Sequence, residues 1–511
     1  MLLDLRIGNL AEPVSGRRWD RPGVLRQVAA RIRRFQSEGM SVGDRVFIHY
    51  GNRLEFFADL LSIWHLGACV VPVDPRLTQF EVEKLARLAT PRFSFVDDKT
   101  DASILTLMSS LGAKVINALD TTTDIEKMIP PGHVGLDNDA LILFTSGSTG
   151  SPKGVVHTHR SLRARWSVLR ENLGLEPYGR TLCLLPTHFG HGLICNCLFP
   201  WLSGQDLFIT QPFNPNLMMR LGTLVDEHKI TSLSSVPSLW GLVLKVAQPP
   251  RQRTLRRVHC GSAPLSAHLW KEIQSWAATG EVFNTYGITE TGSWVAGTTI
   301  GDFVPEDGLV GKPWGAAIRI LKTSDRKSLA LFDGECKPGE AGYVWIKTPA
   351  LMKGYFERDD LTEQVVCEGW FIPGDIGLFD ERGIFYLKGR EREEINKGGT
   401  KIYPADIDAV IERFDRARDV VTFGIDDPLY GQEVAIAVTL EENSDGTIRS
   451  LYQWTKRHLA EHKIPARWYL MDSIPRTSRG KINRNEVRDQ CLRLAPLDLR
   501  KILQVSEEGP R

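Results

Sequence analysis

Thr145-Ser146-Gly147-Ser148-Thr149-Gly150-Ser151-Pro152-Lys153-Gly154 follows an apolar run, Ala140-Leu141-Ile142-Leu143-Phe144, that reads as a short buried strand. The ten residues carry five hydroxyls, three glycines, one proline and one lysine. Glycines let backbone N–H groups turn toward a ligand, hydroxyls add donors, and the lysine adds a mobile positive charge. That combination suits a polyphosphate. It is not a Walker A loop, because Pro152 stands five residues after Gly147 and Gly154 follows Lys153. A Ser/Gly-rich surface loop has a similar composition. The strand running directly into the segment, and Pro152-Lys153 closing it, favour the anion site.

The chain around this loop has 511 residues, 63 Lys+Arg against 62 Asp+Glu, and a formal net charge of +1. Such balance gives no support for a nucleic-acid surface. Eight scattered cysteines include no CxxC pair and no Cys/His cluster at zinc spacing, so free thiols in a reducing compartment are expected. No apolar h-region opens the chain and no window approaches twenty apolar residues. The expectation is a cytoplasmic protein with no membrane span.

Upstream of the loop, residues 22–38 read as an amphipathic basic helix, with Arg17, Arg18, Arg31, Arg33 and Arg34 on a solvated face. Strands at 45–50, 68–73 and 93–96 alternate with helices at 53–66 and 78–89. Downstream, strands at 180–186, 230–236, 257–260 and 281–286 alternate with helices at 217–228, 237–247 and 265–279. This alternation predicts an α/β fold built on parallel sheets. After about residue 300, Gly, Pro and short alternating runs predict a small β-rich unit with hairpins. From Gly389 the chain is strongly charged and then resumes a compact α/β pattern. The expected division is a large domain over residues 1–391 and a small α+β domain over residues 392–511.

Four further stretches carry chemistry. Asn284-Thr285-Tyr286-Gly287-Ile288-Thr289-Glu290 ends a strand, and its hydroxyl and carboxylate could hold a phosphate oxygen and Mg²⁺. Trp370-Phe371-Ile372-Pro373-Gly374-Asp375-Ile376-Gly377 sets an Asp in a Gly turn, suited to a ribose diol or to the turn alone. Residues 389–399, by themselves, read as a solvated linker. Pro475-Arg476-Thr477-Ser478-Arg479-Gly480-Lys481-Ile482 is a basic turn whose lysine matters only if it reaches the phosphate site.

In this order the five stretches closely resemble the adenylate-forming superfamily, which includes acyl-CoA synthetases, adenylation domains of peptide synthetases, acyl-carrier-protein ligases and beetle luciferases. The resemblance runs from about Gly43 to Lys481 and beyond. It implies that the small C-terminal domain is mobile. It implies that Thr145, Ser146, Gly147, Ser148, Thr149, Gly150 and Lys153 clasp the β- and γ-phosphates of ATP. Gly261, Ser262 and Ala263 match the adenine-side Gly-Gly-Ala-Pro loop, with Ser262 in place of the second glycine. Asn284, Thr285, Tyr286 and Gly287 belong to the nucleotide site, Tyr286 stacking on adenine. Thr289 would contact the α-phosphate, and Glu290 would hold Mg²⁺. Asp375 and Arg390 would bind the ribose, although Pro373 stands where the family has Thr. Arg392 falls at the hinge, where Asp or Lys is usual, and Lys481 matches the catalytic lysine.

The implied reaction is attack of a carboxylate on the α-phosphorus of ATP, giving acyl-adenylate and pyrophosphate, followed by transfer to the thiol of CoA or of a carrier protein's phosphopantetheine. The acid would lie between residues 186–193, 234–240, 261–264 and 286–295. Amino-acid-activating members carry an Asp just after an aromatic residue in the first segment. Gly190 follows Phe189 here, which disfavours an α-amino acid. Phe189 takes the gate position, and His188, His191, Ser235, Trp240 and Trp294 suggest an apolar pocket with few polar groups. An aryl or short-to-medium acyl acid is expected. Transfer to an amine or another non-thiol acceptor, and a homologue impaired in catalysis, are the alternatives. Neither the acceptor nor the oligomeric state is legible.

Overall fold

The computed structural model describes residues 6–118, 134–146, 152–212, 215–299, 303–325, 334–397, 400–477 and 480–504. Among these residues the strands form three sheets, of fifteen, seven and five strands. In the seven-stranded sheet, strands Lys114–Asn117, Phe93–Val96, Arg45–Ile48, Cys69–Pro72 and Asp139–Ser146 run parallel. The central strands Phe93–Val96, Arg45–Ile48 and Cys69–Pro72 are buried almost throughout, as strands covered on both faces are, whereas the edge strand Lys114–Asn117 buries only Ile116. Strand Pro152–Thr158, which the sequence reading did not assign, returns antiparallel on Asp139–Ser146. Strand Gly354–Tyr355 covers its other side, so this antiparallel pair lies one strand in from the sheet edge.

The fifteen-stranded sheet has a parallel half containing Asp206–Ile209, Arg180–Cys183, Ser232–Ser235, Arg257–Gly261 and Val282–Ile288. It then turns antiparallel through Ser293–Gly297 and Leu309–Pro313 into the β-rich unit, where Asp375–Phe379 pairs with Phe385–Arg390. Between the two large sheets lies helix Leu54–His65, buried at every residue but His65. A helix apolar on all sides belongs inside, and its two acids need partners there. Arg17 bonds Glu55, while Asp59 takes a hydrogen bond from Tyr50 and pairs with Arg31 at 2.7 Å. Arg31 is only 1% exposed, which corrects its expected place on a solvated face. It lies on the buried side of helix Arg21–Ser37 because Asp59 on the next helix supplies its charge partner.

The large sheets end at strand Phe385–Arg390, and the five-stranded sheet begins at Ile395–Lys397 after the 3₁₀ turn Glu391–Glu393. In that sheet Ala417–Asp427 and Gly431–Leu440 form a long antiparallel pair, with Arg467–Leu470 parallel to the second. Arg484 bonds Glu393 at 3.0 Å, Asp408 at 2.6 Å and the Thr422 carbonyl at 2.8 Å, tying the last part of the chain to the turn. Among the described residues no helix is long and apolar enough to cross a membrane, and all eight cysteines are free.

Candidate functional site

The hairpin aligns Thr145 with Lys153 and Ser146 with Pro152. Gly147, Ser148, Thr149 and Gly150 lie outside the described residues. Alternation along Pro152–Thr158 puts Lys153 and His157 on one face. The Lys153 ammonium sits 5.3 Å from the ring centroid of Tyr355, and the Tyr355 hydroxyl donates to Glu290 Oε1 at 2.7 Å. Burial, then the Glu290 charge, raises the Tyr355 pKa above its ordinary value, so the hydroxyl keeps its proton. His157 Nε2 meets the Thr289 carbonyl at 2.8 Å and Nδ1 meets Ser161 at 3.3 Å. Burial pushes this imidazole to about 4, leaving it neutral at pH 7. The turn Thr289–Thr291 is thus fixed from below by His157, while Arg165 Nη2 holds the Thr291 carbonyl at 2.9 Å. Glu290 is buried, while Gly287 and Thr289 are half-buried.

A second cluster forms where Val282–Ile288 faces the β-rich unit. Tyr286 donates its hydroxyl to Asp375 Oδ2 at 2.5 Å, and Arg390 Nε is 3.0 Å from Asp375 Oδ1. Asp375 is 2% exposed. The Asp375 carboxylate raises the Arg390 pKa, and burial together with Asp375 raises that of Tyr286. A carboxylate has about four acceptor positions, so one remains on each oxygen. Asn284 turns its amide to the Leu309 carbonyl, and the Thr285 hydroxyl donates to the Cys260 carbonyl at 3.3 Å. Gly261 permits that close approach, because a Cβ there would lie 2.2 Å from Thr285 Oγ1.

The third cluster lies after Pro186. His188 is buried with Nε2 3.3 Å from Asp74. Burial opposes ionisation of Asp74, yet His188 and Arg76 hold its carboxyl well below the usual carboxylate range. Phe189 and His191 pack with ring centroids 5.7 Å apart, and His191 packs edge-on to Trp294 at 5.2 Å. His191 opens a π-helical segment, His191–Leu198, a geometry frequent at functional sites. Its Nδ1 meets the Ser262 hydroxyl at 2.8 Å and its Nε2 the Ser234 hydroxyl at 2.5 Å. Burial, reinforced by the Lys481 charge, pushes His191 to about 3. Ser262 and Ala263 are half-buried, and Ser262 adopts φ +67°. That left-handed conformation costs an L-residue with a side chain roughly 1–2 kcal/mol, which explains a glycine preference at the position. The Ser235 hydroxyl turns to the Val236 carbonyl at 3.4 Å, and Trp240 packs on Trp276 with centroids 5.3 Å apart.

Lys481 comes to this third cluster from the small C-terminal unit. Thr477 N–H donates to the Lys481 carbonyl at 2.8 Å, and Lys481 N–H donates to Thr477 Oγ1 at 3.1 Å, closing a tight turn. The turn delivers Lys481 Nζ to 5.8 Å from the Phe189 ring centroid. Arg392 is exposed in the turn between the units. Sequence reasoning missed Tyr355, His157 and Asp74. Reading Pro152–Thr158 as a strand would have exposed one of them, because alternation places His157 on the lysine's face.

Comparison with known proteins agrees with this architecture. Residues 23–356 match the family model described as AMP-binding enzyme, and residues 406–481 match the AMP-binding enzyme C-terminal domain. The chain is 28% identical to a 2-succinylbenzoate–CoA ligase of Geobacillus sp. strain WCH70, covering 90% of each chain. It is also 28% identical to the long-chain-fatty-acid–CoA ligase FadD13 of Mycobacterium tuberculosis, again over 90% of each. Among solved structures, ATP-bound MatB from Rhodopseudomonas palustris superposes with a TM-score of 0.83 at 24% identity, over 95% of this chain and 96% of that one. With the family matched over most of its length in two consecutive domains, the chain belongs to the AMP-binding, adenylate-forming enzymes.

Proposed function

We propose that this protein is an AMP-forming ligase that activates a carboxylic acid as its acyl-adenylate and transfers the acyl group to the thiol of CoA. The observation that carries the proposal is the convergence of three separate parts of the chain. Lys481 of the small unit meets the Phe189 ring, Gly190 beside it lies next to Thr289, and the Glu290 charge bears on Tyr286 and Arg390, the two partners of Asp375. Relatives named as CoA ligases match along almost the whole chain and support CoA as the acceptor.

The residues fit the nucleotide. The two remaining acceptor positions of Asp375 suit the two ribose hydroxyls, with Tyr286 and Arg390 holding the carboxylate in place. Lys153, at the base of the hairpin, offers its charge to the phosphates. Glu290 suits Mg²⁺ held mainly by phosphate oxygens, since among the described residues no group of three or more His, Cys, Asp or Glu converges as a cation cage. Bound there, Mg²⁺ supplies charge neutralisation on the phosphates.

Two anions must meet for the first step, the acid carboxylate and the α-phosphate. Lys481 lowers that repulsion by lying between them, and Thr289 donates toward the α-phosphate. Carboxylate oxygen bonds to phosphorus as the bond to pyrophosphate breaks. In the second step the thiol displaces AMP, and Arg392 is the pivot about which the small unit withdraws Lys481. Gly190 places no carboxylate where an α-ammonium would need one. A Cβ there would instead meet Leu143 Cδ1 at 3.3 Å. An aryl or short-to-medium acyl acid suits the aromatic wall. The test is ATP–pyrophosphate exchange across a panel of carboxylic acids, followed by competition between CoA and holo-carrier protein. Acid-dependent exchange with CoA thioester formation is expected; exchange independent of any acid would refute the reading.

A further inference from the structure

The three-residue chain Ser234–His191–Ser262 is not explained by adenylation as such. His191 is 2% exposed, and each of its ring nitrogens meets one serine hydroxyl. It is neutral, so one nitrogen donates and the other accepts. Ser234 also lies 3.5 Å from the His259 carbonyl, which can take its proton. In that arrangement His191 Nε2–H donates to Ser234 and the Ser262 hydroxyl donates to Nδ1, leaving the oxygen of Ser262 open as an acceptor. In the opposite tautomer Nδ1–H donates to Ser262, and the Ser262 proton is left to donate. Either way one hydrogen-bonding position of Ser262 remains, on a half-buried residue.

The position is also a strained one. Ser262 holds φ +67°, where glycine has no penalty, and its side chain is the link to His191. The chain of bonds lies beside the reaction point, because His191 packs on Phe189, whose ring faces Lys481, and His191 itself feels the Lys481 charge. The remaining wall at His191 is aromatic, contributed by Phe189 and Trp294.

We infer that Ser262, oriented by His191 and Ser234, is a specificity-determining residue that selects acids bearing a neutral hydroxyl or amino substituent close to the carboxyl group. A hydroxyl fits best, since it can donate or accept and so pairs with Ser262 in either tautomer. A charged substituent is disfavoured, because His191 is held neutral and Lys481 is engaged by the reacting carboxylate. His191 and Ser234 are positioning residues: they act through Ser262.

This inference rests on the adenylation reading, and the experiment separates the two. Acid-dependent pyrophosphate exchange is measured for matched pairs: benzoate with 2-, 3- and 4-hydroxybenzoate, and butyrate with 3-hydroxybutyrate. The wild-type protein is expected to prefer the near-hydroxylated member of at least one pair by about tenfold or more in kcat/KM, because a site built to bond a hydroxyl leaves its own polar group unpaired with the analogue that lacks one. Ser262→Gly suits the backbone and should fold. It is expected to shrink that ratio to within about threefold. Ser234→Ala, which touches no acid, should shrink it partly by freeing the His191 ring. A wild-type protein that handles both members of every pair equally, or a Ser262→Gly variant that keeps the wild-type ratio, overturns the inference and leaves adenylation standing. No exchange with any acid overturns both.

Discussion

Asp375→Asn is the perturbation whose size the structure sets most closely. The carboxylate is 2% exposed and receives Tyr286 on one oxygen and Arg390 on the other. The amide keeps one carbonyl oxygen, which the Tyr286 hydroxyl can still reach. It replaces the other oxygen by an NH₂ group facing Arg390. Stability should suffer less than for a fully buried pair, since the Arg390 side chain is 55% exposed and water can solvate its charge. The loss falls on the nucleotide, because one ribose hydroxyl meets a donor in place of a charged acceptor. A hydrogen bond to a charged group contributes about 1.5–3 kcal/mol, so ATP binding should weaken about 10- to 150-fold. Calorimetric titration with ATP, 2′-deoxy-ATP and 3′-deoxy-ATP measures both parts. Wild-type protein should bind at least one deoxy analogue about tenfold or more less tightly, and the variant should lose that discrimination. Wild-type affinity for ATP in the variant, or undiminished discrimination, would refute the assignment of Asp375 to the ribose.

Two further expectations follow from buried charge. Asp59→Ala strands Arg31, which is 1% exposed with Asp59 as its carboxylate at 2.7 Å; the expected cost is about 3–5 kcal/mol in denaturant unfolding, partly recovered by adding Arg31→Met, and an unchanged midpoint would contradict the pairing. Burial pushes His49, His157 and His159 to about 4 and, with Lys481, His191 to about 3. Their folded pKa values lie below the unfolded value of about 6.5, so the unfolded chain takes up protons first as pH falls. Stability is full above about pH 6.5 and is lost toward pH 4, by about 2 kcal/mol per histidine at pH 5. Calorimetry at pH 7 and pH 5 checks this, and equal melting temperatures would contradict it.

Much of the proposed nucleotide site was legible in the sequence because its parts are local. The Ser/Gly-rich stretch after Phe144, the Tyr286–Glu290 strand end, the Asp375 turn and the Lys481 segment each carry their chemistry within a few residues of sequence. The parallel sheets were legible for the same reason, since each strand carries its own apolar run. The supporting partners were not, because they pair across long separations. His157 reaches Thr289 132 residues away, Tyr355 reaches Glu290 65 residues away, and Ser262 reaches His191 71 residues away. Arg31 misled because a basic run gives no sign that one member faces an acid on the next helix. The π-helical segment His191–Leu198 is buried throughout, so it has no polar face whose period could reveal its wider turn.

Lys481 is proposed to serve adenylate formation and to leave for thiol transfer. This role is tested most directly by assaying Lys481→Ala in both half-reactions, as ATP–pyrophosphate exchange and as CoA thioester formation from preformed acyl-adenylate. The predicted result is abolished exchange with thioester formation retained. Exchange at the wild-type rate would contradict this role of Lys481, and so would loss of the second half-reaction together with the first.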